Sequence, residues 1–209
     1  MEIDFYCIHH SPSIDRKSYM EELFNENHIK PIWIADFLPD CDSVINHKTV
    51  YSSHAANKKY LNTAEISLYL KQKRALELIK KTNRIGVICE DDLEKPDFSL
   101  RNFVVDVAHD FISGGGDILF IGDTHNDSIA NKYKDISMVS ESWMKSRCAH
   151  CYMITPSAVN KILDYVENPE APFDWQINYA IDKFNLKIYW SVQGVKQRTA
   201  QNAIKSLLR

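Results

Sequence analysis

Residues 84–89, RIGVIC, form an apolar run without polar alternation, and three acids, Glu90, Asp91 and Asp92, follow it at once. A strand that alternates apolar and polar side chains has one wet face, whereas a strand without alternation is covered on both. Such a strand needs helices above and below it, which confines the chain to layered α/β architectures. Comparable runs recur at residues 3–10 (IDFYCIHH), 30–36 (KPIWIAD), 117–122 (DILFIG), 148–154 (CAHCYMI) and 187–192 (KIYWSV). Between them apolar residues return at helical spacing, as in Tyr19, Met20, Leu23 and Phe24, or Ile66, Tyr69, Leu70 and Leu76. The punctuation agrees with this. Ser11 with Pro12 predicts the start of a first helix, and Asn62 with Glu65 a capping box opening a helix that runs to about Thr82. Thr155 with Pro156 predicts another start, and residues 98–112 and 174–184 read as further helices. Residues 37–61 show little periodicity and read as one long loop.

A chain of 209 residues with 44% hydrophobic content can bury one sizeable core. Its formal charge of -3 with dispersed Lys and Arg generates no basic field, so nucleic acid is not an expected partner. The opening MEIDFYCIHH carries acids where a signal peptide needs positive charge, and no apolar run is long enough to cross a bilayer, so a cytoplasmic location is expected. Five cysteines form an odd set, best read as reduced thiols; Cys148 and Cys151 lack the second ligand pair of a zinc site. The expected organisation is one catalytic domain over 1–193 and a tail over 194–209. That tail holds Lys196, Arg198, Lys205 and Arg209 and no acid. It would either touch anionic lipid at the inner face of a membrane or form a solvated helix.

The acids carry the chemistry. Ligands of open α/β sheets bind outside the carboxyl ends of strands, where Glu90, Asp91 and Asp92 fall. Clustered carboxylates repel unless a cation or solvent offsets them, so either a Mg²⁺ or Mn²⁺ site built on Asp92 and Glu90, or a solvated acidic turn, is open. A divalent ion there would face a substrate diphosphate. Asp123 closes another strand, and Asp174 precedes a helix as either its cap or a base. His9 and His10 end the first strand, near a nucleotide's expected position, and Trp175 is an aromatic available for stacking on a sugar. Clustered acids at strand ends serve a Mg²⁺-dependent phosphohydrolase or nucleotidyltransferase equally well.

The ordered set resembles glycosyltransferase family 25, the lipopolysaccharide-type and collagen-type sugar transferases, over most of the chain. Asp15 and Arg16 resemble the family's Asp-Arg element after the opening strand, and Leu61, Glu65 and Ile66 its Leu-x-x-x-Glu-Ile helix start. Glu90, Asp91 and Asp92 are similar to its Glu-Asp-Asp, CAHCYMITPSAVNKIL to its later strand and helix, and Pro172, Phe173 and Asp174 to its Pro-x-Asp. The resemblance implies a three-layer α/β fold with a mixed, mainly parallel sheet, like the A-type nucleotide-sugar transferases. It also implies a metal-dependent transfer of a sugar, from a uridine-diphosphate donor to a glycan hydroxyl, with inversion. In that scheme Asp92, with Glu90 or Asp91, binds metal and diphosphate, Arg16, His9 and Glu65 lie on the donor side, and Asp174 is the base with Asp123 its rival. Trp175 and Gln193 fall on the acceptor side. Two departures stand out. Lys71 and Gln72 occupy the place of the family's Ser-His pair, and the closing Gln-x-x-x-x-Ser survives only as Gln193 followed by Thr199. A catalytically degenerate homologue that binds glycans without turnover is therefore the non-enzymatic alternative.

Overall fold

A computed structural model describes residues 1–47, 61–122, 129, 138–140, 146 and 150–198. Asp123, Trp143, Cys148 and the tail from Thr199 onward lie outside the described residues. Seven strands, β1 (Ile3–Ile8), β2 (Ile32–Ile34), β3 (Ile85–Glu90), β4 (Ile118–Gly122), β5 (Met138–Val139), β6 (Cys151–Ile154) and β7 (Ile188–Ser191), form one sheet. Their spatial order is β2-β1-β3-β6-β4-β7-β5. Pairings β1/β2, β1/β3 and β4/β7 are parallel, while β3/β6, β4/β6 and β5/β7 are antiparallel. The sheet is thus mixed as expected, and five strands share one direction, but β6 inserted between β3 and β4 divides the pairings evenly. Periodicity reports burial and not strand direction, so that insertion could not be read in advance.

The described helices are α1 (Ile14–Glu26), α2 (Asp42–Ile45), α3 (Thr63–Thr82), α4 (Leu100–Ser113), α5 (Pro156–Leu163) and α6 (Phe173–Phe184). Alternate residues of each central strand feed opposite cores. Tyr6, Ile8, Ile88, Phe120, Tyr152 and Ile154 pack with α3, α5 and α6, while Phe5, Cys7, Val87, Cys89, Leu119 and Met153 pack with α1 and α4. The result is three layers, helix on sheet on helix. Cys7, Cys89 and Cys151 lie abreast in register on the second face and are buried free thiols that pack as small hydrophobes.

Local signals explain most helix ends. Asn62 and Glu65 close a reciprocal capping box, each backbone N–H donating to the other's side chain at 2.8 Å. Thr155 accepts from the Ala158 N–H, with Pro156 at the first helical position. The start of α1 differs from expectation. Residues 11 and 12 form a turn, the helix begins at Ile14, and the Ser11 hydroxyl donates to the Ala35 carbonyl at 3.0 Å instead of capping. The expected loop after β2 contains the four-residue α2, too short for periodicity to register. No helix among the described residues is long and apolar enough to cross a membrane.

Candidate active site

β1 and β3 run side by side in register, Ile8 beside Glu90, so the segments leaving them emerge together. His9 and His10 leave β1, Asp91 and Asp92 leave β3, and Arg16 reaches in from the first turn of α1. The Arg16 guanidinium bridges both acids, 3.0 Å to Asp91 Oδ1 and 2.6 Å to Asp92 Oδ2. His9 Nδ1 lies 2.7 Å from Asp91 Oδ2, which also accepts the His10 N–H at 3.1 Å. All three charged side chains are buried, between 6% and 9% exposed, so water screens this network little.

The three neighbouring carboxyls are pushed apart. Burial alone would raise Asp91, but the His9 hydrogen bond, the Arg16 charge and the His10 amide hold it below the usual carboxylate range. Asp92 is raised, because its burial outweighs Arg16 and the Gln197 amide, which donates to Oδ2 at 3.0 Å. Glu90 stands well above the usual range through burial and the fields of Asp92, Asp91 and Asp174. One acid of the triplet is therefore an anchored carboxylate, and the other two bind protons more readily than a surface acid.

Beside this network opens a cleft of about 550 Å³ including its solvent-filled mouth. Arg16, His9, His10, Glu90, Asp91 and Asp92 line one side of it. Across from them Ala64, Ser67, Leu68 and Lys71, spaced i, i+3, i+4 and i+7, present one face of α3. Phe37, in left-handed backbone at φ 57, accepts the Ser67 hydroxyl through its carbonyl and so ties the loop bearing Pro39 to that face. The far edge is closed by the segment after β7. Val195 donates to the Ile121 carbonyl at 3.0 Å, Glu94 to the Lys196 carbonyl at 2.7 Å, and the Arg198 N–H to the Asp92 carbonyl at 2.7 Å. Gly122 makes room for this strap, since a Cβ there would sit 2.7 Å from the His150 ring and 2.8 Å from the Val195 carbonyl. The tail expected from residue 194 is thus part of the domain's packing as far as Arg198. Arg198 also lies 4.1 Å over the Tyr19 ring.

The sequence-derived candidates separate accordingly. Arg16, His9, Glu90, Asp91 and Asp92 converge on the cleft. Glu65 serves the capping box and does not line it. Asp174 is not the helix cap, because Pro172 holds that position; it sits in the first turn of α6, accepts the Trp175 N–H at 3.0 Å, and is close enough to raise Glu90. Trp175 is 37% exposed, and Gln193 lies in the exposed bend after β7; neither lines the cleft. Gln197, Ser67 and Lys71 are among the cleft residues that the sequence reading did not assign to a site. Gln72, beside Lys71, turns inward, where its carbonyl accepts the Tyr152 hydroxyl at 2.9 Å.

For a divalent ion, Asp92 Oδ1 is the informative atom: it is buried and has no hydrogen-bond partner. Asp91 has both oxygens committed, and among the described residues no group of three His, Cys, Asp or Glu side chains is arranged to hold an ion alone. The donor set fits a hard cation that takes one or two carboxylates and completes its shell with water and phosphate. A scan against protein-family models finds no match for this chain, and a search of curated proteins finds none.

Proposed function

We propose that the protein is a glycosyltransferase that moves a sugar from a nucleotide-sugar donor, a uridine-diphosphate sugar by its family resemblance, to a glycan hydroxyl. The observation that carries this reading is the Arg16–Asp91–Asp92 network at the carboxyl ends of β1 and β3, opening on a cleft. Asp91 is held ionised and rigid by three donors, which suits a carboxylate that orients a polar ligand. Asp92 Oδ1, with Glu90, would hold Mn²⁺ or Mg²⁺; the ion's chemistry there is neutralisation of the departing diphosphate. Asp174 is the proposed base, a carboxylate taking the acceptor hydroxyl's proton as that oxygen attacks the anomeric carbon opposite the leaving phosphate. Supporting it are its place in the first turn of α6 and its closeness to Glu90. Trp175, exposed beside it, is the proposed acceptor contact.

One observation favours a second reading. Arg16 already pairs with Asp92, the aspartate proposed to hold the cation, as in a homologue that binds donor or glycan without turnover. Incubation of the protein and Asp92→Ala with a panel of nucleotide sugars, with Mn²⁺ or with chelator, separates the two. Release of nucleoside diphosphate from one donor, lost in the variant and with chelator, is the expected result. Calorimetric binding without release supports the second reading, and absence of binding to every donor rejects the transferase.

A further inference from the structure

Lys71 is only 3% exposed, on the α3 face that walls the cleft. Lysine is almost never this buried without a partner. Here no carboxylate among the described residues approaches its ammonium within the 4.0 Å of an ion pair. The acids that act on it, Asp91 and Asp36, do so at a distance, and Asp91 is already saturated by Arg16, His9 and the His10 amide. Burial consequently pulls the Lys71 pKa down, and that of His10 is lowered by its own burial and then by the Lys71 charge. Among the described residues Lys71 has no ion-pair partner, and the burial of its side chain is offset by the more distant fields of Asp91 and Asp36. The missing counter-charge is one that a ligand brings.

From this geometry we infer that Lys71 is the diphosphate-binding cation of the cleft, its ammonium donating to the phosphate oxygens of a nucleoside diphosphate held between α3 and the Arg16 side. A diphosphate is the anion that a nucleotide-sugar donor would bring beside Lys71, which shares the cleft lining with Arg16. The inference rests on the reading of the cleft as a donor site, yet inorganic pyrophosphate tests it separately.

Titration calorimetry of wild type, Lys71→Met and Lys71→Arg with pyrophosphate, uridine diphosphate and uridine is the experiment. Lys71→Met is expected to weaken both phosphates about tenfold or more while leaving uridine unchanged, and Lys71→Arg to keep most of the affinity. Without ligand, Lys71→Met is expected to melt higher than wild type, since an unpaired buried charge is removed. Should Lys71→Met fail to fold, wild-type protein with 13C-methylated lysines replaces it, and pyrophosphate must shift the Lys71 resonance. Equal pyrophosphate affinity in wild type and Lys71→Met, no pyrophosphate binding by wild type, or an unmoved Lys71 resonance overturns the inference. Lys71-dependent pyrophosphate binding in a protein that turns over no nucleotide sugar upholds it and rejects only the transferase reading.

Discussion

Replacing Arg16 by methionine keeps most of the side-chain volume and removes the charge that bridges Asp91 and Asp92. The three side chains are at most 9% exposed, so the two carboxylates left behind cannot be rehydrated without opening the strand ends. Breaking one partner out of a buried pair costs roughly 3–5 kcal/mol, a large share of the ~5–15 kcal/mol that holds a domain together. For a domain of this size that corresponds to a fall in Tm of roughly 6–20 °C. The sign of the pH dependence follows from the shifts. Asp91 is depressed in the folded state, so its contribution is complete above the unfolded value of about 3.9 and is lost as pH falls through the folded one. In Arg16→Met Asp91 keeps its His9 and His10 hydrogen bonds but loses the Arg16 charge, and burial of Asp92 is opposed mainly by the Gln197 amide, so both acids ionise less readily than in wild type. The deficit should then be largest at neutral pH and shrink toward pH 4 as they take up protons. Urea melts of wild type and variant at pH 7, 6 and 5 measure this. A difference below about 1 kcal/mol at pH 7, or one that stays constant on acidification, would refute the reasoning.

Asn62→Ala is expected to cost about 1 kcal/mol by opening the capping box, and Glu65→Ala a comparable amount, with nucleoside diphosphate affinity unchanged in both; a loss of affinity in Glu65→Ala would return that residue to the donor site. Gly122→Ala must displace His150 or the Val195 carbonyl, at a cost of roughly 1–3 kcal/mol. Hydrogen exchange should then quicken at the Val195 and Arg198 amides, and unchanged protection there would show that the strap does not depend on this close approach.

Much of the layer structure was legible along the chain because burial leaves a local imprint. Strands covered on both faces, as over residues 85–89 and Ile118–Gly122, carry no charged side chain, and helices such as Thr63–Thr82 carry their own caps. The acidic triplet was legible for a related reason, since charges directly after a buried strand must meet solvent, a cation or a ligand. The first helix was displaced by two residues because a Ser-Pro pair signals a turn as readily as a cap, and only the nearby Ala35 carbonyl decided which.

A sheet of buried strands between helices and a set of acids at one strand's end could be read along the chain, because each segment states these properties through its own pattern. Partnership was settled by folding: that Arg16 would span both aspartates, that β6 would run against its neighbours, that Gln197 would reach Asp92, and that Lys71 would face the cleft while Gln72 turned to Tyr152. The physical reason is that hydrogen bonds and ion pairs act over about 3 Å between groups as far apart in the chain as residues 92 and 197, and no local pattern records which distant group will arrive.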